Sequence, residues 1–184
     1  MRYLLLLILL LPVRADAIIL VGFGSGCGAG TNILGTDTVG ASTLNGSVSN
    51  TTVRFNEFVA SASGPICTGE IYFNDTATED VKMLVYNSSH TLIATSSPIS
   101  SFVGGQWTVF TFDGTVSLTS GQTYLLGWIH NGTNYEGDIR NTGTDDPNAM
   151  QFKVDGSYAS PPTDVSGHAA IDSTGGIGSM RIKN

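Results

Sequence analysis

Hydrophobic and polar positions alternate along most of the chain with a period of two residues. Short runs rich in β-branched and aromatic residues are separated by Gly, Asn, Asp and Ser, and helical periodicity is almost absent. Strands at this spacing, with turns between them, indicate an antiparallel all-β sandwich or barrel. The pattern predicts about eight strands: Thr52–Val59, Glu70–Phe73, Asp80–Tyr86, Thr91–Ser96, Gln106–Phe112, Thr123–Ile129, Ala149–Val154 and Gly178–Ile182.

The strand around residue 83 is apolar on both sides. Val81, Met83 and Val85 share one face because successive side chains of a strand point in opposite directions. Leu84 and Tyr86 lie on the other face. We therefore expect that second face to be partly covered as well.

The first residues resemble a cleavable signal peptide. Arg2 supplies the positive charge, and Leu4–Leu11 is an apolar run too short to span a bilayer. Ala15 and Ala17 are the small residues that signal peptidase requires before the cleaved bond. We expect cleavage after Ala17, with Ala15 as the second choice. A buried first strand or an uncleaved anchor is the alternative. We expect residues 1–17 to be removed and the product to be secreted to the extracellular space.

The remaining chain has the length of one domain. Residues 18–45 are glycine-rich and are predicted to form a leader or an edge strand, and residues 46–184 form the β-sandwich domain. The full chain carries a net charge of −7. Because phosphates and anionic lipids attract Lys and Arg, this charge argues against nucleic acid as a partner and, after cleavage, against a membrane surface.

Cys27 and Cys67 are the two cysteines of the chain. In an oxidising compartment such a pair most simply forms one disulfide. Two free thiols or intermolecular bridges are the alternatives. A zinc site is excluded because no matching pair of histidines accompanies the cysteines.

Two stretches of the chain share a strand–turn pattern with a known family. They are DVKMLVYNSSHTLIATSSPIS at 80–100 and GGQWTVFTFDGTVSLTSGQTYLLGWIH at 104–130. Both resemble the jelly-roll sandwich modules of exported bacterial and phage-encoded surface proteins. The segment DGSYASPPTDVSG, at 155–167, is similar to the proline-bearing loop that follows in those modules. The resemblance implies a jelly-roll β-sandwich. It also implies carbohydrate binding or adhesion to a glycan or another cell-surface ligand.

Two long polar loops, 131–148 and 155–176, are the places where a ligand site is expected, because exposed loop aromatics often contact ligands. Trp107 and Tyr124 are expected in the core, and the position of Trp128 is left open. The predicted ligand-binding residues combine loop aromatics with hydrogen-bonding neighbours: Asn134, Tyr135, Asp138, Arg140, Asn141 and Tyr158.

Two further kinds of site are considered in the loops. Asp145 and Asp146 offer oxygen ligands of the kind that structural calcium takes, although the same residues are also common in turns. No other cofactor is expected. Sequons for N-glycosylation occur at Asn45, Asn50, Asn74, Asn87 and Asn131. Because the chain is rich in Asn, Ser and Thr, we interpret them as coincidental.

No catalytic motif is apparent. His90, His130 and His168 are the histidines of the chain, and no nucleophile elbow accompanies them. The leading hypothesis is therefore a non-catalytic secreted surface-binding module. The alternatives are a self-associating structural subunit of an extracellular filament, coat or virion surface, and, less favoured, a secreted hydrolase.

Overall fold

A computed structural model describes residues 27, 30–40, 42–44, 52–132, 139–141, 151–154, 156–167, 169–170 and 178–184. Within these residues the chain is all β, with no helix. The strands are β1 (Asn32–Gly35), β2 (Ser42–Leu44), β3 (Thr52–Val59), β4 (Gly64–Pro65), β5 (Thr68–Phe73), β6 (Ala77–Asn87), β7 (Leu92–Thr95), β8 (Ile99–Phe102), β9 (Gln106–Thr111), β10 (Ser117–Leu118), β11 (Thr123–His130), β12 (Ile139–Asn141), β13 (Gln151–Val154), β14 (Ala169–Ala170) and β15 (Met180–Lys183).

The strands form two large antiparallel sheets and one small one. The six-stranded sheet has the order β1-β15-β5-β12-β2, and β9 pairs with the other edge of β5. The seven-stranded sheet has the order β14-β13-β3-β11-β6-β7, and β8 pairs with β6. Strands β10 and β4 form the small sheet. The all-β antiparallel prediction is confirmed.

The main core lies between the two large sheets, which gives a sandwich-like arrangement. Ile71 and Phe73 of one sheet pack with Met83, Leu126 and other buried residues of the opposite sheet. The alternation of β6 and β11 places one set of side chains in this core and the other set on the outer face. The hydrophobic pattern in the sequence therefore indicates which side of each strand faces the interior.

Most predicted strands are present, and several are longer than expected. Thr52–Val59 is found with the predicted bounds, while the strand predicted at Asp80–Tyr86 extends over Ala77–Asn87. Short strands such as Asn32–Gly35 and Ile99–Phe102 were not predicted. Such strands give weak sequence signals because they depend on pairing with distant neighbours.

The outer face of the seven-stranded sheet is covered, as expected from the two-sided apolar pattern of β6. Leu84 and Tyr86 belong to a second apolar cluster that includes Val165, with Tyr158 packed against it. The Tyr86 hydroxyl donates a hydrogen bond to the Pro162 carbonyl at 3.1 Å. Residues 156–167 of the second long loop therefore form a lid over this face.

The described part of the glycine-rich N-terminal segment belongs to the six-stranded sheet. Strand β1 pairs with β15, and Ile33 and Leu34 are buried in the main core. Cys27 is joined to Cys67 by a disulfide, which confirms the predicted pairing. The predicted signal peptide at 1–17 lies outside the described residues.

Candidate functional site

The outer side of the six-stranded sheet carries aromatic and charged side chains. On β5, β9 and β15 the buried inward positions are mostly apolar, and the alternate positions point outward. We call the resulting surface the Trp107 face. It consists of the outward residues Glu70, Tyr72, Trp107, Val109, Arg181 and Lys183.

Trp107 is only partly buried, so the expectation that it packs in the core is wrong. Phe110 is buried in the core, and Trp107 lies three positions earlier on the opposite side of β9. Trp128 and Tyr124 do lie in the core. Trp107 is thus the tryptophan of the chain that this sheet presents outward.

Two neighbours fix the orientation of the Trp107 ring. The guanidinium carbon of Arg181 lies 4.0 Å from the ring centroid, in cation–π geometry. The ring of Tyr72 meets Trp107 edge-on, with centroids 5.7 Å apart and an angle of 83° between the planes. The Tyr72 hydroxyl donates to the Gly105 carbonyl at 2.7 Å. The aromatic pair is therefore held rigidly on the sheet.

A network of ion pairs surrounds the aromatic pair. Arg181 contacts Glu70 through Nε and Nη2, and its Nη1 lies 2.6 Å from Asp37 Oδ1. Lys183 Nζ lies 2.9 Å from the second oxygen of Glu70. The side chain of Glu70 is only 11% exposed, whereas that of Asp37 is 66% exposed. Two cations and two carboxylates balance each other, so this network is electrically neutral.

The Trp107 face combines an aromatic ring with ionic groups at its rim. An aromatic ring offers an apolar surface, and the neighbouring ionic groups offer hydrogen-bond donors and acceptors at its rim. Both oxygens of Glu70 are already engaged by cations. Within the described part of the chain, no His, Cys, Asp or Glu side chains form a group of three or more that could hold a metal.

The loop residues predicted to bind a ligand are separated by the fold where they are described. Tyr158 lies over the outer face of the seven-stranded sheet, with Lys82 Nζ 4.3 Å from its ring centroid. Arg140 and Asn141 belong to β12 of the other large sheet. The other predicted ligand residues, Asn134, Tyr135 and Asp138, lie outside the described residues.

Tyr158 has a packing role in this structure. Lys82 Nζ donates a hydrogen bond to the Tyr158 carbonyl at 3.1 Å, and the ring packs on the apolar cluster beneath it. Burial raises the pKa of the Tyr158 hydroxyl, and the negative charge of Asp80 raises this pKa further. These contacts bind the 156–167 lid to β6.

The predicted calcium residues, Asp145 and Asp146, lie outside the described residues, as do the sequons Asn45 and Asn50. The other three sequons lie at strand ends. Asn74 follows β5, and Asn87 accepts hydrogen bonds from two amides of the β6–β7 turn. Asn131 follows β11 and is hydrogen-bonded to Asp80 through both its oxygen and its nitrogen.

The two described histidines lie on different elements, His130 at the end of β11 and His90 in the turn between β6 and β7. His130 is buried and pairs with Val81 near the start of β6, and its Nδ1 accepts a hydrogen bond from the Gly132 amide at 3.1 Å. His90 lies in the turn that follows the end of β6. His168 lies outside the described residues. The fold thus separates His90 from His130.

No protein-family model matches the sequence, and no curated protein matches it either. In the described part of the chain, no helix is long and apolar enough to cross a membrane.

Part of the Trp107 face could have been found in the sequence. Phe110 and Phe112 are both core residues, and the period of two then places Trp107 and Val109 on the outside. Glu70 and Arg181 carry no such signal because 111 positions separate them along the chain.

Proposed function

We propose that this protein is a non-catalytic, exported surface module of the jelly-roll type that binds carbohydrate through the Trp107 face. The observation that carries the proposal is the fixed and partly exposed Trp107 ring, held by Tyr72 and Arg181 on an open sheet face. Pyranose rings stack their C–H faces on flat aromatic systems, and their hydroxyls bond to neighbouring polar groups.

The charge of the face supports a neutral ligand. The paired charges of Arg181, Lys183, Glu70 and Asp37 cancel. An acidic polymer would meet two carboxylates here and a chain of net charge −7. A neutral glycan meets neither obstacle, and its hydroxyls can both donate to carboxylates and accept from the cations.

Rigidity of the platform favours binding. A side chain already held in its bound orientation loses little conformational entropy when the ligand arrives. Trp107 is restrained by Arg181 on its ring face and by Tyr72 at close range. The exposed Val109, two positions along the same strand, extends the apolar surface beside the ring.

The jelly-roll assignment is supported by the resemblance of residues 80–130 and by the path of the chain. The chain passes from β5 in one large sheet to β6 in the other, returns at β9, and crosses again at β11. Strand β11 lies between β3 and β6, which precede it in sequence. Double-sheet jelly rolls are built from such crossing connections.

A non-catalytic role is favoured by the groups on the Trp107 face. Glycoside hydrolysis requires one carboxyl that donates a proton and a second that acts as nucleophile or base. Glu70 is engaged by cations through both oxygens, and Asp37 shares Arg181 with it. Export, inferred from the leader-like residues 1–17, would bring the module to extracellular glycans.

The proposal is tested on an array of neutral and acidic glycans, with and without calcium. We expect the purified protein to bind neutral glycans and the Trp107→Ala variant to lose at least about tenfold in affinity, or about 1.4 kcal/mol. Trp107→Phe should keep part of the affinity because it retains an aromatic face. Absence of glycan binding by the unmodified protein in both conditions would refute the proposal.

Val103→Ala is the matched control. Val103 is 57% exposed in the connection between β8 and β9, outside the strands that carry Tyr72 and Trp107. Its replacement should leave both glycan binding and the unfolding midpoint unchanged. A loss of binding by this variant equal to that of Trp107→Ala would show that the Trp107 face is not the site.

A further inference from the structure

Within the described residues, strand β9 is an edge strand, and no strand pairs with its outer side. On its inner side it pairs with β5 from Thr68↔Thr111 to Phe73↔Gln106. The Phe112 amide donates to the Cys67 carbonyl on that side, whereas the Thr111 carbonyl, on the outer side, accepts from the Ser97 amide. Backbone groups of alternate residues point to opposite sides of a strand. The N–H and C=O groups of Trp107 and Val109 therefore point outward.

No other strand in the described part of the chain pairs with this outer side of β9. The strand also lacks the features that normally protect an edge, since Gln106–Thr111 contains no charged residue, no proline and no register shift. The edge at β7 is different. There, the Leu92 amide donates to the Thr163 carbonyl, and Thr91 bridges to Asp164.

We propose that the outer edge of β9 pairs with β9 of a second copy of this chain, antiparallel and about a two-fold axis at Thr108. This register places Trp107 opposite Val109 of the second copy, and Val109 opposite its Trp107. Each of these two pairs exchanges both backbone hydrogen bonds, and the Thr111 carbonyl remains with Ser97.

The side chains of β9 are self-complementary in this register. Val109 is 52% exposed in the single chain, and the pairing places it opposite Trp107 of the second copy. Aromatic and β-branched residues directly opposite each other stabilise antiparallel pairs. Because β9 carries no charge, two copies bring no like charges together along the strand, although each full chain has a net charge of −7.

The pairing joins two six-stranded sheets into one continuous sheet. A two-fold interface of this kind is closed, so it produces dimers and not filaments. The dimer would present two Trp107 faces side by side on one surface. The pairing itself does not depend on a ligand, so it can hold or fail independently of carbohydrate binding. Because the interface is small, we expect a dimer that dissociates on dilution.

Sedimentation velocity over a dilution series of the purified full chain tests the proposal. We expect a monomer–dimer equilibrium for the unmodified protein and a monomer for Val109→Lys, which places like charges across the two-fold axis. Val103→Lys introduces the same charge at an exposed valine outside β9 and should still dimerise. A monomer at every concentration of the unmodified protein, or equal dissociation of both lysine variants, would overturn the proposal.

Two further variants separate edge pairing from general surface effects. Val109→Pro removes an N–H that points away from β5, so the fold should persist while the dimer is lost. Thr108→Cys should form a disulfide-linked dimer, because the proposed register places two copies of residue 108 in a close non-hydrogen-bonded pair. Thr111→Cys should not. Equal cross-linking of both cysteine variants, or a stable dimer of Val109→Pro, would contradict this register.

Discussion

Glu70 connects the charged groups of the Trp107 face. Its two oxygens bind Arg181 and Lys183, and its side chain is only 11% exposed. Removing one partner of a buried ion pair leaves the other charges without compensation, which costs far more than removing an exposed pair. At the scale of single residues, loss of a buried carboxylate is therefore expected to cost more stability than loss of an exposed one.

Replacement of Glu70 by Ala should lower the free energy of unfolding by about 3 kcal/mol, since Lys183 loses its carboxylate partner and Arg181 loses the more buried of its two. Asp37→Ala removes the exposed partner of the same arginine and should cost less than about 0.5 kcal/mol. Urea denaturation measures both values. Equal effects of the two variants would mean that the Glu70 contacts contribute no more than a surface pair.

Tyr86 makes the stability of the protein sensitive to alkaline pH. Burial raises the pKa of its hydroxyl above the ordinary value of about 10. The folded state thus favours the neutral form, so the contribution of Tyr86 is complete below pH 10 and is lost as the pH rises above that value.

Tyr86→Phe isolates this contribution. At neutral pH the variant should be less stable by about 1 kcal/mol, because the hydrogen bond to Pro162 is lost. Above pH 10 the difference should shrink, because phenylalanine does not titrate. Thermal unfolding from pH 7 to 11 gives the comparison. A difference that stays constant over this range would contradict the burial of the hydroxyl.

At the scale of elements, β6 is the clearest case of prediction from sequence. Its alternation assigned Met83 and Val85 to one face and Leu84 and Tyr86 to a second, partly covered face, and both faces are buried. The sequence did not reveal what covers the second face. Residues 156–167 have no strand pattern, and their contact with β6 depends on the tertiary fold.

The candidate site was likewise only partly predictable from the sequence. The alternation of side chains along β9 predicts that Trp107 points outward. The resemblance to jelly-roll modules, in contrast, favoured a position in the core. The ion pairs that hold it were not available, since Glu70 and Arg181 meet only because β5 and β15 are neighbours in the sheet. Local alternation sets the face of a residue, and pairing between distant strands sets its neighbours.

Val165 tests the 156–167 lid as an element. The residue is fully buried against the outer face of the seven-stranded sheet. Val165→Ala should lower the free energy of unfolding by about 2 kcal/mol, through lost burial and the cavity left behind. Ser166→Ala, at the exposed neighbouring position, should change it by less than about 0.5 kcal/mol. Denaturation midpoints that are equal for the two variants would show that the lid is not packed.

At the scale of the whole molecule, the disulfide ties the N-terminal segment to the sandwich. Cys27 and Cys67 are separated by 40 positions. Cys67 is the residue directly before β5, which begins at Thr68. A link of this length removes conformational entropy from the unfolded chain, by an amount worth about 4 kcal/mol. The predicted pairing in the sequence and the observed one agree.

Replacing both cysteines by serine should therefore lower the free energy of unfolding by about 3–4 kcal/mol without changing the strand content. Guanidinium unfolding followed by circular dichroism measures this loss. Treatment of the unmodified protein with a reductant should reproduce it. An unchanged midpoint in both experiments would mean that the link contributes nothing to stability.

Trp107 is the residue that we propose as the carbohydrate platform of the molecule. The most direct test is a titration of tryptophan fluorescence with a neutral oligosaccharide selected on the glycan array. Trp107 is partly exposed and Trp128 is buried in the core, so a ligand on the sheet face should change the emission of Trp107. We predict a saturable change in the unmodified protein and none in Trp107→Phe. A change of equal size in the variant, or binding of the oligosaccharide with undiminished affinity by Trp107→Ala, would contradict the claim.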